Sequence, residues 1–380
     1  MTGEAKSLLL LATDFPPAHG GIQTLTWEVY GRLGDILRLA VAPASTAPAP
    51  GEERWPLRRT RHGCGSGLGA LRYLREAAAL LERERAAPCL LHCNHLLAAH
   101  AGLWLRRRHG LRYAAWVHGE EVAKWRFPKL AAASLRGAAA VIANSRFTAA
   151  RARDLMNGRG PEVHVVPLGA PPAWLAAPPA AAPAGGGPPV ILTVARLCRR
   201  DQYKGVDTAL RAMAELRAAG VPFRYRIAGA GDDRGRLEAL ARTLGVAERV
   251  EFLGRVPEDQ LMAAYDGADV FLLCSREELS ARGLGFEGFG IALVEAGARA
   301  RPAVAGRSGG IVDVVADGET GLLADPRSPA EVAAALARLL GDPGLRQRLG
   351  ARARERVQSE FRWDLTAARV RALHQELLRP

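Results

Sequence analysis

Hydrophobic positions along this chain fall into short β-rich runs separated by longer stretches with apolar residues at helical spacing. In the first half, 8–12, 37–41, 89–92, 113–117, 140–143 and 163–166 read as buried strands. In the second half, 190–194, 225–227, 250–252, 270–273, 303–304 and 321–323 do the same. Amphipathic segments such as 206–219 and 234–244 lie between them and predict helices. Strand alternating with helix implies a parallel sheet covered on both faces. Two such series imply an α/β protein of two Rossmann-like doubly wound domains facing a central cleft, where ligands usually bind.

The division falls at 170–189, where 18 of 20 residues are Ala, Pro or Gly. Such a stretch is expected to bury no core face and to act as a linker. The expected domains are therefore 1–169 and 190–360, and a length of 380 residues suits two cores better than one. The amphipathic segment 361–380 is expected to form a helix that packs back on the first domain.

Charge adds an asymmetry. The net of +13 divides into +10 for residues 1–180 (23 Lys+Arg against 13 Asp+Glu) and +3 for the remainder (29 against 26). A basic first half suits phosphates, anionic head groups or nucleic acid, and equally a solvated Arg-rich surface. Five scattered cysteines form no disulfide framework and fit a reducing, cytoplasmic setting. No apolar run is long enough for a membrane span, and the apolar start at 7–12 reads as a first strand rather than a signal sequence.

Four places carry candidate chemistry. The run Glu287-Gly288-Phe289-Gly290-Ile291, continued to Glu295, sets two carboxylates eight apart around a turn that opens a helix. The helix mouth favours an anion, and the glycines permit its close approach. Arg196 and Lys204-Gly205 follow the strand 190–194, where cations face ligands in doubly wound sheets. Gly20-Gly21 end the turn-rich loop Asp14-Phe15-Pro16-Pro17-Ala18-His19 at a helix start. His118, in Trp116-Val117-His118-Gly119-Glu120, sits at a strand end and suits proton transfer or a sugar hydroxyl. Taken singly, the 287–295 run reads also as a helix cap with an exposed glutamate, each cation as a surface charge and Gly20-Gly21 as an ordinary turn.

Taken in order, the four resemble the retaining glycosyltransferase family 4 with the two-domain GT-B fold. The resemblance includes 141–148 (VIANSRFT), 250–254 (VEFLG), 268–273 (ADVFLL) and 309–323 (GGIVDVVADGETGLL). The Tyr203-Lys204-Gly205 form and the run 285–290 are similar to the branch that builds phosphatidylinositol mannosides. The resemblance implies transfer of a hexose, mannose by branch, from a nucleotide diphosphate sugar to a lipid-linked, polysaccharide or small-molecule acceptor in cell envelope biosynthesis. It implies that Arg196 and Lys204 bind the donor diphosphate, and that Glu287 with the backbone of Gly288, Phe289, Gly290 and Ile291 holds the donor sugar and a phosphate. Glu295 would accept from ribose hydroxyls, Gly20 and Gly21 would approach the diphosphate, and the base would lie near Arg255 and Val256. His118 would touch the donor sugar, and Asp14, His95 and Asn144 would stand on the acceptor side. The family further implies front-face attack with retention, no cofactor and no metal, since the cations and helix mouth replace one.

The segment 275–285 is longer than the family pattern and reads as a specificity loop; the spacing from Arg196 to Lys204 is also extended. Cys89, His92, Cys93, His95 and His100 match no common zinc spacing. Gly229-Ala230-Gly231 with Gly235 misses the dinucleotide fingerprint and reads as a turn. The rival readings are an epimerase or silent nucleotide-sugar-binding protein of the same fold, and a membrane-surface binder using the basic segments 54–61 and 106–112. No zinc, stacking or recognition-helix pattern supports nucleic acid.

Overall fold

A computed structural model describes residues 7–18, 20–64, 67–84, 89–123, 127–179, 187–280 and 283–379. The chain divides into two compact units, one of Met1–Leu168 with Trp363–Pro380, the other of Gly169–Arg362.

The first unit holds strands β1 (Leu8–Leu11), β2 (Leu37–Ala42), β3 (Leu57–Arg59), β4 (Leu90–Cys93), β5 (Tyr113–Val117), β6 (Ala140–Ala143) and β7 (Val163–Val165). They form one parallel sheet in the order β3-β2-β1-β4-β5-β6-β7. Central strands read as continuous apolar runs because both faces are covered: β1 is Leu-Leu-Leu-Leu, fully buried. The sequence pattern missed β3, whose Leu-Arg-Arg carries charge because it is an edge strand. Its Arg59 is not a free surface cation; it forks onto Glu52 at 2.6 and 2.9 Å and donates to the Pro16 and Pro43 carbonyls.

The second unit holds β8 (Val190–Val194), β9 (Arg224–Ala228), β10 (Val250–Gly254), β11 (Val270–Leu273), the pair β12 (Glu278–Ser280) and β13 (Gly283–Gly285), then β14 (Ala303–Gly306) and β15 (Gly321–Ala324). Six of them form a parallel sheet in the order β10-β9-β8-β11-β14-β15. Strands β12 and β13 form a separate antiparallel hairpin within the segment read as a specificity loop, and positions 281–282 lie outside the described residues.

The expected linker behaves differently from a free tether. Residues 180–186 of it lie outside the described residues, but Pro172–Ala176 form a short helix with Trp174 buried against Tyr265. Arg299, itself buried, pairs with Asp266 at 2.8 and 2.9 Å and donates to the carbonyls of Trp174, Ala177 and Pro178. Ala/Pro composition hid this because the anchors are a single tryptophan and two arginines more than 120 residues away, Arg299 and Arg354, the latter donating to the Leu175 and Ala177 carbonyls. The helix Trp363–Leu378 belongs to the first unit, where it packs on the helix Gly21–Gly31.

Candidate functional site

Each sheet reverses its winding beside its first strand, between β1 and β4 and between β8 and β11. Loops at the carboxyl ends of such strand pairs form the ligand crevice of doubly wound folds. The candidate residues stand there: Asp14 to Gly21 after β1, His95 after β4, Arg196 after β8, and Glu287 beyond β11.

In the second unit, Ala195 N–H donates to Ala228 and Leu197 N–H to Ala230, each at 3.0 Å. Both neighbours of Arg196 are thus pinned, and its side chain stands 60% exposed, reaching the buried Asp201 carboxylate at 3.3 Å. The turn Arg199–Lys204 ends at Gly205, with φ at +70°. A Cβ there would lie 2.0 Å from the Cys274 carbonyl oxygen, so only glycine lets this turn close on the end of β11. That closure brings Lys204 Nζ to 2.5 Å from Glu287 Oε2, with both side chains about 15% exposed (16% and 14%). Ser275 Oγ lies 3.4 Å from the same oxygen.

Gly288 and Gly290 are buried, and the Phe289 ring packs edge-on against Phe361 at 5.8 Å, so Phe289 can offer a ligand only its backbone. Gly310 N–H donates to the Glu287 carbonyl at 2.8 Å, and a Cβ on Gly310 would lie 2.1 Å from the Gly288 oxygen. Sequence reasoning missed Ser275 and Gly310 as parts of this site; the paired glycines opening 309–323 were the available signal. The helix Ile291–Ala298 begins at Gly290 with no side-chain cap, leaving its first N–H groups without a side-chain partner.

Glu295 projects from that helix and accepts from the Tyr265 hydroxyl at 2.7 Å. Burial pushes its carboxyl up to about 7, against the lowering effect of that hydrogen bond. Tyr265 is a second residue the sequence did not single out. Arg255 is exposed and Val256 half-buried after β10.

In the first unit, Gly20 and Gly21 open the helix Gly21–Gly31 and are exposed; His19 lies outside the described residues. Asp14 accepts from Gln23 at 3.0 Å and Thr13 at 3.1 Å. His118 Nε2 donates to the Asn94 carbonyl at 2.6 Å, and its ring stacks on Trp116, centroids 5.8 Å apart and planes 9° apart. That bond leaves Nδ1 as the imidazole's acceptor, and burial holds the ring below its usual range, hence neutral. Asn144 donates to the His118 carbonyl at 2.8 Å while its own Oδ1, buried, meets no hydrogen-bond donor among the described residues. His95 caps the helix Leu96–His109 by accepting from Leu97 N–H, and also stacks beside His118 at 6.1 Å.

Of the Cys/His set near β4, His92 is consumed by hydrogen bonds to Tyr30 and His374, and neither Cys89 nor Cys93 is in a disulfide. Among the described residues no cluster of three or more His, Cys, Asp or Glu is placed to hold a metal, and no helix is long and apolar enough to cross a membrane.

Comparison with known proteins gives the family and the fold. Residues 179–356 match the family model for glycosyl transferases group 1, and 25–169 match that for a glycosyl transferase 4-like domain. The chain is 30% identical, over 96% of itself and 97% of the relative, to a GDP-mannose-dependent alpha-(1-6)-phosphatidylinositol monomannoside mannosyltransferase of Mycolicibacterium smegmatis. Its fold is similar to that of sucrose-phosphate synthase from Thermosynechococcus elongatus, with a TM-score of 0.80 at 23% identity over 98% of this chain and 99% of that one. An Anabaena HepE in complex with UDP gives 0.76 at 19% identity over 97% and 100%. The chain belongs to the group 1 glycosyl transferases, with a glycosyl transferase 4-like first domain, and is a glycosyltransferase of the two-domain GT-B fold that uses a nucleotide-sugar donor.

Proposed function

We propose that the enzyme transfers mannose from GDP-mannose, with retention, to a lipid-anchored inositol-containing acceptor. The observation that carries this reading is the Lys204–Glu287 pair held beside the open mouth of the helix Ile291–Ala298. The donor and acceptor named for the full-length mycobacterial relative supply the substrate class.

In this reading the donor's diphosphate lies on the N–H groups at that helix mouth, with Lys204 and Arg196 as cations. Glu287, released from part of its contact with Lys204, accepts from donor-sugar hydroxyls. Fixed positive groups act most where charge develops, and here that is the departing phosphate oxygen. An acceptor hydroxyl oxygen bonds to the anomeric carbon as the bond to the phosphate oxygen breaks. The hydroxyl proton passes to the departing diphosphate, so charge and atoms balance without a covalent enzyme intermediate. GDP-mannose is α-linked, and the relative's product is named as α, which favours retention. Glu295 is assigned to the ribose hydroxyls and Arg255 with Val256 to the base. In the first unit, Gly20 and Gly21 are assigned to the diphosphate, His118 Nδ1 to a sugar hydroxyl, and Asp14, His95 and Asn144 to the acceptor. In this reading the cations and the helix mouth stand in for a metal, and none is assigned. The surplus of positive charge in residues 1–180 favours peripheral contact with an anionic cytoplasmic membrane face holding the acceptor.

Calorimetry with GDP-mannose, GDP-glucose, UDP-glucose and UDP-galactose, with and without chelator, tests the donor. Selective, chelator-insensitive binding of GDP-mannose is expected, followed by mannose transfer to phosphatidylinositol mannoside in vesicles. Selective binding of a UDP-sugar would overturn the donor assignment.

A further inference from the structure

A chain of buried hydrogen bonds runs from the last helix to the stack that carries His118. Trp116 Nε1 lies 3.1 Å from Tyr30 Oη, and Tyr30 Oη lies 3.2 Å from His92 Nδ1. His92 Nε2 lies 3.1 Å from His374 Nδ1, and His374 Nε2 lies 3.0 Å from Ser7 Oγ. Tyr30, His92 and Trp116 are fully buried, His374 is 1% exposed and Ser7 8%. The members come from five separate places: the start of β1, the helix Gly21–Gly31, β4, β5 and the helix Trp363–Leu378.

One donor-only group, together with the need of the buried Tyr30 hydroxyl proton for an acceptor, sets the direction of the chain. An indole nitrogen can only donate, so Trp116 donates to Tyr30. The single Tyr30 hydroxyl proton then goes to His92 Nδ1. A neutral His92 must carry its proton on Nε2 and give it to His374 Nδ1, and His374 in turn donates from Nε2 to Ser7. Burial and the neighbouring His374 hold His92 far below the usual histidine range, which keeps it neutral. Each inner link has one donor and one acceptor, so no buried polar group along it is left unsatisfied.

The free end of this chain is functional in position. Trp116 and His118 are two apart in and just beyond β5, hence on one face, and their rings lie 9° from parallel. On its other side His118 is held through Nε2 by the Asn94 carbonyl, while the Asn94 side chain accepts from Thr13 N–H at 2.9 Å and donates to Thr26 at 2.9 Å. We propose that Tyr30, His92 and His374 are positioning residues for the transfer reaction: their hydrogen-bond chain locks the Trp116 ring against which His118 is set, and makes the C-terminal helix part of the active enzyme. The proposal rests on assigning His118 to the donor sugar.

The test is a double-mutant cycle on full-length enzyme, reading release of GDP from GDP-mannose, with Tyr30→Phe and His118→Ala. Tyr30→Phe removes one hydroxyl and keeps the ring. The expected result is a loss in kcat of roughly tenfold, an unchanged KM for acceptor, and no further loss when the change is made in the His118→Ala background. Selective 15N-histidine NMR of the wild type should show His92 and His374 as Nε2–H tautomers beside that of His118, and Tyr30→Phe should release that constraint on His92. Wild-type turnover of Tyr30→Phe, or an equal loss with and without His118, would overturn the positioning role. An Nδ1–H tautomer at His92 in the wild type would overturn it even if the variant failed to fold. A distinct outcome, wild-type turnover of His118→Ala, would remove the assignment of His118 itself and this proposal with it.

Discussion

Tyr265 donates its hydroxyl proton to Glu295 at 2.7 Å, within the same helix-and-sheet packing that burial uses to raise the Glu295 carboxyl to about 7. A carboxylate that is half protonated near neutral pH makes donor binding pH-dependent. Ribose hydroxyls need an acceptor, so the ionised form binds. Between pH 8 and pH 6 the Kd for GDP-mannose should rise roughly tenfold, tracking loss of the carboxylate. Glu295→Gln should bind more weakly at pH 8 and lose that dependence. A pH-independent Kd in the wild type would contradict the assignment of Glu295 to the ribose.

The same group acts on stability with a definite sign. Its folded value of about 7 lies above the ordinary 4.5, so folding takes up a proton and stability falls as pH rises from about 4.5 through 7. Above that window the ionised carboxylate costs the folded state on the order of 3 kcal/mol. Glu295→Gln should therefore raise the melting temperature at pH 8 and change it little at pH 4.5. A lower melting temperature for Glu295→Gln at pH 8 would refute this.

Arg299 is 2% exposed and joins Asp266 to three carbonyls of the segment 174–178. Arg299→Ala strands a partly buried carboxylate and those carbonyls, and should destabilise the second unit by about 3–5 kcal/mol. Denaturant unfolding measures it. A change below about 1 kcal/mol would mean that Trp174 and Arg354, which donates to the Leu175 and Ala177 carbonyls, hold the 172–178 segment without Arg299.

Gly310→Ala places a methyl group 2.1 Å from the Gly288 carbonyl oxygen, in the turn that leads to the helix mouth. The backbone must shift there, while the sheet strands around it need not. Donor affinity should fall by at least roughly tenfold with far-UV circular dichroism unchanged. Unaltered affinity would show that the turn takes no part in holding the donor.

Most parallel strands of both sheets were legible because buried strands are apolar throughout, as in Leu8–Leu11 and Val270–Leu273. The edge strand Leu57–Arg59 was not, since an edge tolerates arginine and lacks the apolar run. The hairpin of Glu278–Ser280 and Gly283–Gly285 was seen only as extra length, because three-residue strands carry no periodic signal. Glu287, Lys204 and Arg196 announced themselves by charge beside glycine. Ser275, Tyr265 and Gly310 act through contacts 12, 30 and 23 residues from Glu287 or Glu295, and sequence adjacency cannot show those. The tethering of Trp174 failed for the same reason in reverse: its local composition is that of a linker, and its partner is Arg299.

The central claim is that Lys204, set 2.5 Å from Glu287, neutralises the leaving diphosphate of a nucleotide sugar. The most direct measurement is turnover of GDP-mannose by wild type and Lys204→Ala in the presence of chelator. The account predicts chelator-insensitive turnover in the wild type and a loss of roughly 10²–10³-fold in kcat for the variant, as for removal of one fixed donor from a developing charge. Equal turnover in the two proteins would contradict it.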